Sequence, residues 1–207
     1  MEDRVQLFRS TVVGAFLFLA SLAINFYASY FAAEKASLAV TDIVLNNFRV
    51  YDVDGIILFM AGFLLLLVLL AVVRRPRLLP FVLKSAALFY LVRSAFVSLT
   101  HIGPFEPRLI LDPGRVFTLL GLGYAGDLFF SGHTGMPFLL ALLFWNKKIL
   151  RWIFLASSVI LALAMLLGHL HYSIDVFAAF FITYSIYHLA RFFFFRDYTM
   201  FQSALTK

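Results

Sequence analysis

Long apolar runs separated by short polar islands organise this chain. A stretch of about 20 apolar residues is enough to cross a bilayer as a helix, and six such runs can be read: roughly 11–33, 55–73, 78–100, 131–145, 152–169 and 172–195. Membrane β-strands would alternate in polarity with a period of two, whereas these runs are apolar throughout, so they predict helices. The fourth run is short unless 116–124 belongs to the same embedded region. The first is too long for a cleavable signal peptide and lacks a small-residue cleavage site. The expectation is an all-α, polytopic membrane protein: one six-helix bundle over 1–207.

Composition supports a lipid environment. Of 207 residues, 63% are hydrophobic and 14% charged, and 26 are phenylalanine; a soluble domain is usually about 45–50% apolar even with glycine counted. Nothing resembles a linker, a low-complexity tract or a repeat. With no cysteine, neither a disulfide framework nor a thiolate metal site can form.

The net charge of +6 could suggest nucleic acid, but its distribution reads as topology. Arg4, Arg9, Arg74, Arg75, Arg77, Lys147, Lys148, Arg151, Arg191, Arg196 and Lys207 fall on one set of connections. Lys35, Arg49, Arg108 and Arg115 fall on the other, and Lys84 and Arg93 lie within a run. The positive-inside rule then predicts cytoplasmic termini, an integral multi-pass protein and no nucleic-acid partner. Two polar islands in the C-terminal third fall on the non-cytoplasmic side.

The first island reads Gly126-Asp127-Leu128-Phe129-Phe130-Ser131-Gly132-His133-Thr134, and the second His169-Leu170-His171-Tyr172-Ser173-Ile174-Asp175-Val176. Ionisable residues near membrane depth are costly, so such a cluster is a functional candidate by default. His171 and Asp175 are four residues apart, a spacing that brings side chains together on a helix. A carboxylate beside an imidazole orients the ring and leaves its other nitrogen to act as base or nucleophile. This island opens the sixth run, where free helix amides favour an anion. In the first island Gly132 permits close backbone approach, Ser131 can cap a helix, and successive amides could cradle phosphate oxygens. His133 is a candidate general acid, its ordinary pKa of about 6.5 being close to working pH. Against this stand plainer readings: a cap for Ser131, a loop residue for Asp127, hydrogen-bonded helix ends for His101 and His188.

Ser131-Gly132-His133-Thr134 and His171-x-x-x-Asp175 resemble the last two signature motifs of the type 2 phosphatidic acid phosphatase superfamily. The longer strings, Gly126-Asp127-x-x-x-Ser131-Gly132-His133-Thr134 and His169-x-His171-Tyr172-Ser173-x-Asp175-Val176, are similar to its sphingomyelin-synthase branch. Arg93 with Thr100 and Pro104 resembles that branch's motif ending the third span, and Asp42 to Gly55 loosely resembles its motif before the second. The resemblance implies His171 as a nucleophile forming a phosphohistidine, Asp175 as its orienting carboxylate, and His133 as the acid and then base. It implies substrate contacts from Asp127, Arg93, Ser131, Gly132, Thr134, His169 and Tyr172, and no metal or other cofactor.

Two departures separate the chain from the phosphatases. No Lys-x6-Arg-Pro motif occurs, and Met165 stands where they carry an arginine six residues before the nucleophile. The expectation is therefore an enzyme that transfers or hydrolyses the phosphate-linked headgroup of a phospholipid or sphingolipid, with a lipid alcohol or water as acceptor. A lipid or prenyl monophosphate phosphatase is the alternative within enzymes. Outside enzymes, a proton- or ion-coupled lipid transporter is the alternative. A zinc site at His133, His171 and Asp175 is a further reading, and homo-oligomerisation is left open.

Overall fold

The structure, a computed structural model, describes residues 2–109 and 128–206, without the side chains of 2 and 3. Val116–Tyr124, Asp127 and Arg115, all invoked above, lie outside the described residues. Seven α-helices account for most of the rest: α1 Glu2–Glu34, α2 Asp54–Arg74, α3 Leu79–Leu99, α4 Gly132–Leu143, α5 Lys148–Leu167, α6 Ser173–Phe193 and α7 Phe195–Thr206. There is no strand among the described residues.

Five helices, α1, α2, α3, α5 and α6, are long and apolar enough to cross a membrane. The fourth run is different. Helix α4 has 12 residues, about 18 Å at 1.5 Å per residue, against a hydrocarbon core of about 30 Å. Its N-cap is Ser131, whose side chain accepts from the Thr134 amide. Pro137 inside it lacks the N–H that would bond the His133 carbonyl, a local cause for weakening the helix.

Boundaries follow local chemistry. Pro76 ends α2: Arg75 before it has left the helical region, at φ −142° and ψ 78°, because proline disfavours the α region for its predecessor. Pro80 then sits in the first turn of α3, where a missing N–H costs nothing. The C-terminus of α5 is a Schellman turn. The His169 amide donates to Leu166 O at 3.1 Å and the Leu170 amide to Met165 O at 2.9 Å, with His169 in the left-handed region at φ 52°. Glycine usually takes that position. Here the glycine is one residue earlier, since a Cβ on Gly168 would meet Val53 Cγ2 at 2.9 Å.

In lipid, apolar burial does not drive helices together, so small residues that allow close approach matter more. Helices α1 and α3 make the most extensive pairing. The α1 face is a stripe of Gly14, Ser21, Asn25, Ala28 and Ala32 at alternating spacings of seven, four and three, and all five are buried. Large apolar side chains point outward instead: Phe16, Leu65 and Phe181 are 70, 61 and 76% exposed.

Helix α7 extends beyond the sixth apolar run. It folds back beneath the bundle and buries Phe201 against Phe81 and Phe144, with ring centroids 5.4 and 5.6 Å apart. Arg75 Nη1 donates to the Ala204 and Leu205 carbonyls at 2.6 and 3.1 Å, placing a cation at the negative end of the helix. Phe201→Ala should therefore cost about 3–5 kcal/mol of stability, the range for a fully buried phenylalanine. Thermal unfolding of the detergent-solubilised protein measures it, and a loss below about 1 kcal/mol would show that α7 is not docked.

Candidate active site

The site is built where the N-termini of α4 and α6 meet α3. Ser131 N donates to Asp175 O at 3.3 Å, which joins the two polar islands through their backbones. Ser158 Oγ on α5 donates to Thr134 O at 2.8 Å. Gly135, one turn into α4, admits Phe89 and Thr183 so closely that a Cβ would lie 2.8 Å from each. Helix α4 is thus clamped between α3, α5 and α6.

Arg93 enters from α3 and is 5% exposed. Its Nε donates to Phe130 O at 3.1 Å and its Nη1 to Asn25 Oδ1 at 3.1 Å. Gly132 gives it room, because a Cβ there would stand 3.2 Å from Arg93 Nε. Phe130, fully buried, holds the carbonyl in place by edge contacts with Phe89 and Phe96.

His171 and Asp175 do meet, though not as neighbours on one helix face. His171 precedes the N-cap Tyr172, while Asp175 is the third residue of α6. The fully buried Asp175 accepts from the Tyr172 amide at 3.0 Å through Oδ2, half of a capping box. The same oxygen lies 3.4 Å from His171 Nδ1, which is 3.0 Å from Leu128 O. A carbonyl can only accept, so Nδ1 carries the proton and donates. Nε2 is then the basic nitrogen, with no partner among the described residues. Asp175 Oδ1 is buried with no hydrogen bond among the described residues.

The other expected residues are placed as follows. His133 is the second residue of α4 and half-buried. The Gly132 amide, at the first turn, makes no hydrogen bond among the described residues. Ser131 Oγ accepts from Thr134 N at 3.3 Å and Thr134 Oγ1 at 3.2 Å. His169 Nδ1 donates to Pro107 O at 2.8 Å and its ring packs on Phe105 at 5.3 Å. Tyr172 donates its hydroxyl to Gly103 O at 2.7 Å and accepts from Val40 N at 3.2 Å. Burial pushes its phenol above the ordinary 10, so it stays a donor. His101 and Phe31 pack edge-on. Among the described residues no group of His, Asp and Glu is arranged to hold a metal.

Asn25 escaped the sequence reading of this layer, and Asp42 entered it only as the start of a loosely matching motif. Asn25 lies in an apolar run with no motif around it, and only its heptad register with small residues could have flagged it. Asp42 takes over the N-terminus of α6: Oδ2 accepts from Ser173 N at 2.7 Å and Ser173 Oγ at 2.8 Å, and Oδ1 from Val44 N and Leu45 N at 2.8 and 3.1 Å. The amide expected to greet a substrate anion at Ser173 therefore already holds a carboxylate. Burial alone would raise the Asp42 pKa. The hydrogen bonds outweigh it and hold the pKa below the ordinary 3.8. A depressed folded-state pKa means the stabilisation is complete above the ordinary value and is lost as pH falls through the lower one. Asp42→Asn should thus cost about 1.5–3 kcal/mol near neutral pH, the worth of charge-assisted hydrogen bonds. The gap to wild type, followed by thermal unfolding, should stay constant down to about pH 5 and close in stronger acid; a gap that widens in acid would contradict this.

Residues 125–192, 68 of the 207, match the family model described as PAP2 superfamily C-terminal. This segment carries both polar islands from Gly126 onward. No curated protein and no solved structure matches the chain. That segment is therefore similar to the C-terminal part of the PAP2 superfamily.

Proposed function

We propose that the protein is a multi-pass membrane enzyme that moves or hydrolyses a phosphate-linked lipid headgroup, with His171 as nucleophile. The observation that carries this reading is the commitment of His171 Nδ1 to Leu128 O and Asp175. It leaves the Nε2 lone pair to attack phosphorus, while the buried carboxylate stabilises the imidazolium that forms. His133, at the start of α4, protonates the leaving oxygen and then draws the proton from the acceptor, a lipid alcohol or water.

Phosphoryl transition states are loose and place charge on the equatorial oxygens, so positioned donors supply most of the catalysis. The Gly132 amide and Arg93 are the donors proposed here, with Ser131 and Thr134 shaping the same cradle; Asp127, outside the described residues, is proposed as a further substrate contact. His169 and Tyr172 support it by pinning 101–109 over the start of α6. The substrate is a phosphodiester lipid of the kind used by the sphingomyelin-synthase-like branch, because the basic motifs that hold a phosphate monoester in the phosphatases are absent. The enzyme needs no metal, since the side chains supply acid, base and nucleophile.

His171→Ala and His133→Ala should each abolish turnover of a headgroup-labelled phospholipid, and Asp175→Asn should reduce it by about 10⁴-fold, as for orienting aspartates in hydrolytic triads. All three should remain folded by circular dichroism, and a chelator should have no effect. Activity lost to chelation and restored by zinc would overturn the scheme; turnover of monophosphates alone would favour a lipid phosphatase.

Sidedness follows from the basic residues: both termini cytoplasmic and His133 and His171 on the opposite side. On the cysteine-free background, a cysteine beside Glu106 should react with an impermeant reagent outside intact cells, and one beside Arg75 should not. The reverse pattern would invert the topology.

A further inference from the structure

At the end of the bundle that carries both termini, α1, α3 and α7 enclose an open cleft of about 810 Å³. It is separate from the candidate active site: Lys84 on its floor and Arg93 are nine residues apart on α3, about 13 Å along the axis. The size is that of a small-molecule site.

The floor is a closed polar network. Lys84 Nζ donates to Asp197 Oδ2 at 2.6 Å and to Ser10 Oγ at 2.8 Å, and Ser10 also donates to Asp197. Lys84 and Asp197 are both 8% exposed, and the Phe194 ring covers the ammonium at 5.7 Å. Charge on the floor therefore cancels within the protein, as a buried pair requires.

The walls do not cancel. Arg9 from α1 and Arg196 from α7 line the cleft, and both are exposed with no ion pair or hydrogen bond among the described residues. Two guanidiniums from different helices thus flank one cavity with no counter-ion among the described residues, a geometry that suits the oxygens of a phosphate. Val5 and Val13 stand one turn either side of Arg9 on the same α1 face, 54 and 49% exposed. They supply an apolar track continuous with the lipid-facing surface.

We propose that this cleft is a second binding site, for a phosphate-bearing anion held between Arg9 and Arg196 over the Lys84–Asp197–Ser10 floor. The apolar track suits the headgroup of an anionic phospholipid; free phosphate shares the chemistry of the arginine pair. The site stands apart from the reading of His171, so His171→Ala leaves it unchanged.

The test uses the full-length protein in phosphatidylcholine nanodiscs, titrated with short-chain phosphatidylglycerol and separately with inorganic phosphate, and read by native mass spectrometry. Saturable binding should weaken at least about 100-fold in Arg9→Gln/Arg196→Gln, from the loss of two charge-assisted hydrogen-bonding partners. It should change less than twofold in Arg74→Gln/Lys148→Gln, which removes two exposed charges at the same end outside the cleft. Binding of phosphatidylglycerol that phosphate does not displace identifies a lipid headgroup as ligand. Phosphate binding with the same arginine dependence identifies a soluble source. Equal affinity in wild type and Arg9→Gln/Arg196→Gln, or an equal loss in the control, would overturn the site.

Discussion

A guanidinium cannot sit in an apolar bundle without partners, and meeting that demand at Arg93 organises the surrounding structure. Its donors reach α1 through Asn25 and the segment before α4 through the Phe130 carbonyl. The glycine at 132 is a consequence, since it lets the start of α4 approach the arginine. Removing one partner of such a group leaves a buried charge uncompensated, typically at 3–5 kcal/mol. Arg93 thereby anchors the first polar island, which the Ser131–Asp175 and His171–Leu128 hydrogen bonds join to the second.

The second island owes its shape to a succession of helix-end devices. The Schellman turn at Gly168–Leu170 stops α5, the Asp175 carboxylate caps Tyr172, and Asp42 crosses from the first loop to hold Ser173. His171 lies between the turn and the cap, where its backbone has little freedom and its Nδ1 is already committed. In this arrangement the acids do two jobs each. Asp175 caps a helix and orients a ring; Asp42 closes a loop and occupies the positive end of α6. A ligand anion is accordingly left to the start of α4 and Arg93.

Much of this was legible in the residues because lipid imposes a simple code. Five of the six apolar runs coincide with long helices to within a few residues, except that α1 begins about nine residues earlier and α5 four. The fourth run, read as short, is a 12-residue helix: residues 144 and 145 cap and leave α4, and Pro137 weakens it from within. Helix α7 was invisible because it carries no long apolar run; its burial depends on Phe201 and Tyr198 meeting aromatic rings that sequence does not reveal. His171 and Asp175 were paired correctly by spacing, yet the contact runs through a capping turn. Asn25 and Asp42 were missed as participants since their partners are 68 and 131 residues away, and no local pattern encodes that.

The central claim is that His171 becomes covalently attached to phosphorus. The direct measurement is to incubate His133→Ala protein, which should form the adduct but release it slowly, with a lipid labelled in its headgroup phosphate, and to locate the label by mass spectrometry. The account predicts an acid-labile, base-stable phosphoryl group on His171, absent from His171→Ala. Robust wild-type turnover with sequential two-substrate kinetics and no adduct on any histidine would contradict it, and would leave His171 acting as a base in direct displacement.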